Sequence, residues 1–320
     1  MRKFFIVAGV MLAALALVVM GCGNTAEISA GGSDSGGGGQ LSDPNDVFTS
    51  VRDGAQNLNS LAYVADIEVT GVPDPAVTSD PTAQLAQDLK VHSEGAVSKS
   101  DMAAQMKVDL SVAGQTINAE IKATGGGVYV GLSGQWYQIP PDQTEQFKQF
   151  ATISPADITS KLGIDLNGLS SERTMVGIET IDGAQCYHVT GKPDPAQVAQ
   201  GIADALASPE LKNQAAEDAA ANLSIDPAAA QQLKDAIKEI TVDYWVDVQT
   251  GFVRKGVATI RMEKAPGDTE SGLQSADIKI SFTASKFNEP VTVEAPPSPL
   301  PFDQIGEALS GGGLGGATTP

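Results

Sequence analysis

Residues 101–139 read DMAAQMKVDLSVAGQTINAEIKATGGGVYVGLSGQWYQI. Met102, Ala104, Met106, Val108, Leu110 and Val112 alternate with Asp101, Gln105, Lys107, Asp109 and Ser111. After a turn at Gly114 and Gln115, Ile117, Ala119, Ile121 and Ala123 alternate with Asn118, Glu120 and Lys122. Gly125-Gly126-Gly127 then leads to Val128, Val130 and Leu132, and Ser133-Gly134 leads to Trp136-Tyr137-Gln138-Ile139. A period of two places every other side chain on one face of a sheet. Short glycine-bearing turns between such runs make the strands antiparallel neighbours. The stretch is therefore a meander with one apolar and one charged face. The apolar face has to be covered, either by the chain's own side chains or by an apolar guest.

The same pattern extends outward in both directions. Ser42-Asp43-Pro44 is an N-cap followed by a first-turn proline. Val47, Phe48, Val51, Ala55 and Leu58 recur at helical spacing, which predicts an amphipathic helix over about 44–59. Tyr63, Ala65, Ile67 and Val69 against Asp66, Glu68 and Thr70 predict the first strand. Beyond Pro140, residues 143–150 and 155–162 are expected to form short helices, with Phe147 and Phe150 inward. Met175–Ile181 and Cys186–Thr190 flank Asp182-Gly183 as a hairpin. Residues 195–239 are Ala-rich, with candidate helices at 195–207, 209–222 and 227–239; Pro195 and Pro227 each follow an Asp. The sheet resumes with Ile240–Val248, Phe252–Met262 and Ala276–Ala284, and a last short strand is expected at Val291-Thr292-Val293. About nine to eleven strands with interspersed helices give an α+β class, a single curved antiparallel sheet with helices on one side.

Composition narrows the function. The 320 residues carry a formal net charge of −19, with aromatics at only 5%. A nucleic-acid partner is not expected, because phosphate contact requires Lys and Arg gathered on one face. Arg2 and Lys3 precede an uncharged apolar run from Phe4 to Met20, and Val19-Met20-Gly21-Cys22 follows. This is a secretory signal layout. It resembles the bacterial lipobox, in which Cys22 becomes the lipid-bearing first residue. An uncleaved membrane anchor and an ordinary signal peptide are the alternatives; at ~17 residues the apolar run is marginal for a span. Residues 22–41 form a Gly/Ser-rich tether with a reach of roughly 25 Å. Pro296–Pro301 and Gly311–Pro320 read as a disordered or loosely attached tail.

Catalytic signatures are absent: there is no nucleophile elbow, S-x-x-K, P-loop or H-E-x-x-H. His92 and His188 lie in strand-like segments without a second His or a Cys nearby, so no metal site is expected. Cys186 alternates into a strand face and reads as a buried thiol. Neither an enzymatic activity nor a cofactor is expected. The apolar faces around Met102–Ala123 mix Ala and Met with branched aliphatics. That mixture suits an ordinary core, and equally a cavity with adaptable walls, because methionine accommodates variable apolar ligands.

The lipobox-like start, the tether, the amphipathic helix, the Val128-Tyr129-Val130 … Gly134-Gln135-Trp136-Tyr137 meander and the Tyr244-Trp245-Val246-Asp247 … Thr250-Gly251-Phe252-Val253 pair together resemble the LppX/LprG-type lipoproteins of actinobacteria, in the LolA-like superfamily. Ile181–Gly191 is similar to the hairpin before that family's helical insertion. The resemblance covers about Asp43–Val293, and the Ala-rich insertion and Pro/Gly tail depart from it. It implies a curved half-barrel with helices across the concave face, enclosing a hydrophobic cavity for an acylated lipid or glycolipid. It also implies a lipid-anchored protein on the extracytoplasmic face of the cell membrane, with an envelope transporter as a candidate partner. The domain plan is a signal peptide at 1–21, a tether at 22–41, a lipid-binding domain at 42–295 and a tail at 296–320. The expected cavity lining is Ala65, Ile67, Val69, Met102, Ala104, Met106, Val108, Ile117, Ala119, Ile121, Val128 and Val130. An envelope sensor with a filled core and no cargo is the alternative.

Overall fold

The computed structural model describes residues 41–75, 88–112, 114–132, 134–141, 144, 172–200, 227–268 and 272–305. The expected signal peptide, Cys22, nearly all of the expected tether, the helices expected at 143–150 (except Thr144), 155–162 and 209–222, and the last part of the expected tail lie outside the described residues. Helix α1 spans Pro44–Gln56 and is followed by β1 (Ser60–Pro73), β2 (Leu89–Ser98), β3 (Ala103–Val112), β4 (Gln115–Thr124), β5 (Gly127–Leu132) and β6 (Gln135–Gln138). Next come β7 (Glu172–Ile181), β8 (Ala184–Lys192), helix α2 (Pro227–Ala236), β9 (Ile237–Asp247), β10 (Val253–Glu263), β11 (Leu273–Ser285) and the two-residue β12 (Leu300–Pro301). The strands hydrogen-bond in the order β12-β6-β5-β4-β3-β2-β1-β11-β10-β9-β8-β7, so the sheet is open, with β12 and β7 at its ends. The α+β class and the large antiparallel sheet agree with the sequence reading.

Contacts divide the chain into two compact units. The first holds Met1–Asn57, Ala65–Lys90 and Ser154–Ala284; the second holds Leu58–Val64, Val91–Ile153 and Ser285–Pro320. In the first unit, α1 starts where Asp43 Oδ1 accepts from the Asn45 N–H at 2.8 Å. One turn apart, Val47 and Val51 pack on Tyr187, Val189, Val246 and Val253. Gly54 and Gly251 let helix and turn touch. A Cβ on Gly54 would lie 2.6 Å from the Thr250 carbonyl oxygen, and one on Gly251, whose φ is +70°, 2.2 Å from that of Ser50. The β7–β8 turn is tight because Asp182 and Gly183 both adopt positive φ, 47° and 81°.

Register aligns the first unit's apolar positions into rows. Val189, Tyr244, Gly256 and Phe282 stand opposite one another, as do Ile240, Ile260 and Ile278. The second row is sealed: Ile240 is 2% exposed, Ile260 1% and Ile278 3%. Three sequence expectations shift. Helix α1 ends at Gln56 and not at 59. Strand β9 begins at Ile237, inside the stretch read as helix to 239, because Ile237, Ile240 and Val242 are buried against sheet neighbours. Val291–Val293 form no strand. In their place Leu300–Pro301, expected to belong to a loose tail, pair in parallel with β6.

Candidate functional site: the apolar face of β3–β6

The second unit's meander is in register as a strict antiparallel ladder. Met106 faces Ile121, Ile121 faces Val130, and Val130 faces Tyr137. Ala104, Ala123 and Val128 form the next row, and Val108, Ala119 and Leu132 the row on the other side. Leu110 opposite Ile117 completes the face. Directly opposed residues point to the same side, so alternation alone collects eight of the twelve expected lining residues here: Ala104, Met106, Val108, Ile117, Ala119, Ile121, Val128 and Val130. Leu110, Leu132 and Tyr137 belong with them. The first two carried the same signal, and Tyr137 was hidden by the brevity of β6.

The face changes character along the strands. Ala123, Val128 and Ile139 are buried, with Ala104, Ile121, Val130 and Phe302 packed around them. Toward the β3–β4 turn, Met106, Val108, Leu110 and Ala119 are only partly buried, and Ile117 is 39% exposed. Among the described residues no carboxylate, amine, guanidinium or imidazole stands in these rows. The charged residues stand on the opposite one, where Lys107 lies 3.6 Å from Asp109 and 4.0 Å from Glu94, and Lys122 Nζ sits 4.9 Å from the Trp136 ring centre. Exposed pairs of this kind contribute little. The hydrogen-bonding side chains of the apolar face lie at its margins, Gln115 opposite Val112, Gln135 opposite Leu132 and Tyr137 opposite Val130. The face can bury hydrocarbon.

The other expected lining residues fall elsewhere. Met102 lies in the turn before β3 with φ 46° and is half exposed, so no strand register ties it to the rows. Ala65, Ile67 and Val69 are buried positions of β1 in the first unit. Tyr63, on the same side of β1, lies over Gly95 of β2, where a Cβ would come within 2.9 Å of the ring. Burial raises the Tyr63 hydroxyl above its usual range, against a lowering hydrogen bond with Ser93.

The remaining singled-out residues are structural in geometry. Cys186 is fully buried, and desolvation raises its thiol to about 11, so it is held as the unreactive thiol. His188 bridges two carboxylates, Nδ1 to Glu179 Oε1 at 2.8 Å and Nε2 to Asp243 Oδ1 at 3.0 Å, and stacks on Trp245 at 4.3 Å. Trp245 Nε1 donates to Glu179 Oε2 at 2.7 Å. That bond and the one from His188 hold the Glu179 carboxyl below its usual range. The cluster ties β7, β8 and β9 together. Among the described residues no group of three His, Cys, Asp or Glu is placed to hold a metal ion, and no helix is long and apolar enough to cross a membrane.

A family model described as "Family of unknown function (DUF6612)" matches residues 43–170, less than half of the chain. No curated protein matches by sequence. Among solved structures, the chain is similar to the lipoprotein LppX of Mycobacterium tuberculosis, with 17% identity, a TM-score of 0.38, and coverage of 79% of this chain and 100% of that one. LprF of Mycobacterium bovis gives 15% identity and a TM-score of 0.39, covering 80% and 99%. A DUF1329 family protein of Desulfovibrio piger gives 10% and 0.19, covering 79% and 96%.

Proposed function

We propose that the chain is a lipid-anchored protein of the extracytoplasmic membrane face that receives the acyl chains of a lipid or glycolipid on the β3–β6 face and carries them within the cell envelope. One observation bears most of the weight. The Ala, Met, Val and Ile rows of β3–β5 form a continuous, charge-free face that the chain covers only in part. Methionine and alanine leave that surface adaptable to chains of differing shape. Transfer requires no covalent step. An acyl chain that leaves a bilayer for such a face avoids the ~0.8 kcal/mol per CH₂ that exposure to water would cost. The anchor is Cys22 and the lever is the Gly/Ser tether. An envelope transporter is the partner that would hand lipid over or accept it.

Native mass spectrometry of protein purified from its own host tests the reading. Acylated species that leave the protein only on denaturation are expected. Preparations that show the bare chain alone would favour the rival reading, an envelope sensor without cargo, which draws its support from the sealed rows of β8–β11. Anchoring is tested separately. A fatty-acid label is expected on the native protein and absent from Cys22→Ala; label that persists in the variant removes the anchor.

A further inference from the structure

The lipid-binding reading leaves one well-placed segment without a role, the chain after β11. It is first pinned to the start of β1: the Asn59 N–H donates to Asn288 Oδ1 at 2.7 Å, and Ser60 Oγ donates to the Glu289 carbonyl at 2.6 Å. It then passes Pro296, Pro297 and Pro299 and reaches β12, where Leu300 stands opposite Tyr137 and Pro301 opposite Gln138. Leu300 therefore extends the row Met106–Ile121–Val130–Tyr137 by one strand. Phe302 packs on Ala123, Val128 and Ile139, the buried end of the same face. Phe302 thus lies on the buried end of the surface assigned to the ligand, and Leu300 at its edge, beside Tyr137.

The attachment is built to be loose. It is two residues long and lies at the sheet's edge. Pro301 has no N–H to give the ladder, and Leu300 remains 36% exposed. The flanking prolines restrict the released chain, so re-docking loses little conformational freedom.

We infer that Leu300–Phe302 is a displaceable strap, an intramolecular competitor that occupies the β3–β6 face when it is empty and leaves as an acyl chain enters. This rests on the lipid-binding reading and adds its regulation. A strap would shield apolar surface from water and from other copies, and would make affinity depend on how often it lifts. If it is in place about nine-tenths of the time, apparent affinity falls about tenfold.

The test uses the purified full-length chain and the fluorescent fatty acid cis-parinaric acid. Phe302→Ala, and a chain ending at Ser298, are expected to bind the probe about tenfold more tightly than the parent. Equal affinity in all three overturns the strap and leaves lipid binding standing. Failure of all three to take up the probe overturns the lipid-binding reading, and the strap with it. A second variant keeps the strap in place: Gln138→Cys with Pro301→Cys, made in a Cys22→Ala chain. Its oxidised form is expected to bind more than about tenfold more weakly than the same sample reduced with dithiothreitol, because the cross-link closes the fraction in which the strap is lifted. Identical binding before and after reduction overturns the strap.

Discussion

Two faces of one antiparallel pattern end differently in this molecule. On β8–β11, Val189, Val242, Ile240, Ala258, Ile260, Ile278, Ile280 and Phe282 are all buried. On β3–β5, Met106, Val108, Leu110, Ala119, Ile121 and Val130 are only partly so, although the ladder there is just as regular. The sealed face is rich in branched aliphatics with fixed rotamers, and α1 lays Val47 and Val51 against the Tyr187–Val246 part of it. The half-open one sets Ala104, Ala119 and Ala123 and the flexible Met106 among its branched aliphatics, and small or flexible side chains fill a volume less completely. Period two says that a face is apolar. It does not say whether the protein finishes the packing itself.

The largest expected effect sets the two faces side by side. Ile260→Ala removes a fully buried side chain between Ile240 and Ile278 and is expected to cost about 4 kcal/mol. Ile121→Ala should cost about 1 kcal/mol, because its site is already part solvated. Equal losses in denaturant unfolding would break the comparison. Next comes the ion pair at the β9–β10 turn. Arg254 Nε lies 2.7 Å from Asp247 Oδ2, and Asp247 also accepts from the N–H groups of Gln249 and Thr250. Burial alone would raise its carboxyl; Arg254 and the two amides overcome this and hold it below the ordinary range. Asp247→Ala should cost about 3 kcal/mol by removing the buried carboxylate on which Arg254 and the two turn amides converge. The sign of the pH effect follows. A depressed folded-state pKa stabilises above the unfolded carboxyl value of about 4 and is lost as pH falls through the lower folded one. Acid should therefore weaken the parent, while Asp247→Asn should show a flatter profile in acid titrations of stability. An unchanged slope would remove the pair from this role.

A charge on the open face sharpens the comparison in another way. Met106→Glu should lower stability by only about 1 kcal/mol, since Glu can turn its carboxylate to water. It should nevertheless strip the protein of co-purifying acylated species, read by native mass spectrometry; cargo retained at parental levels would move the binding face elsewhere. The smallest effect is expected at the charged surface behind β3. Lys107→Ala should change stability by less than about 0.5 kcal/mol, because its pairs with Asp109 and Glu94 are solvated.

Much of this was legible in the residue order. Asp43-Pro44 set the start of α1, Asp182-Gly183 set the β7–β8 hairpin, and the alternation from Ala104 to Val130 set both ladder and face. The misplacements share a cause. Ile237 was read as helix because local composition was Ala-rich, while its burial in the sheet prevailed. Val291-Thr292-Val293 has strand-forming residues but joins no strand ladder among the described residues. Leu300-Pro301-Phe302 has the composition of a tail and pairs nonetheless, because Phe302 finds an apolar cluster to pack on. A two-residue strand carries no periodicity to detect.

By itself, the sequence determined the α+β class, the hairpins and the side each strand residue takes. Those are local matters, governed by turn geometry and the alternation of the extended chain. Tertiary structure alone decided which rows are sealed, which remain half open, and that Phe302, some 160 residues beyond Ile139 in the chain, comes to rest beside it. Burial depends on what arrives from distant parts of the chain, and no window of neighbouring residues records that.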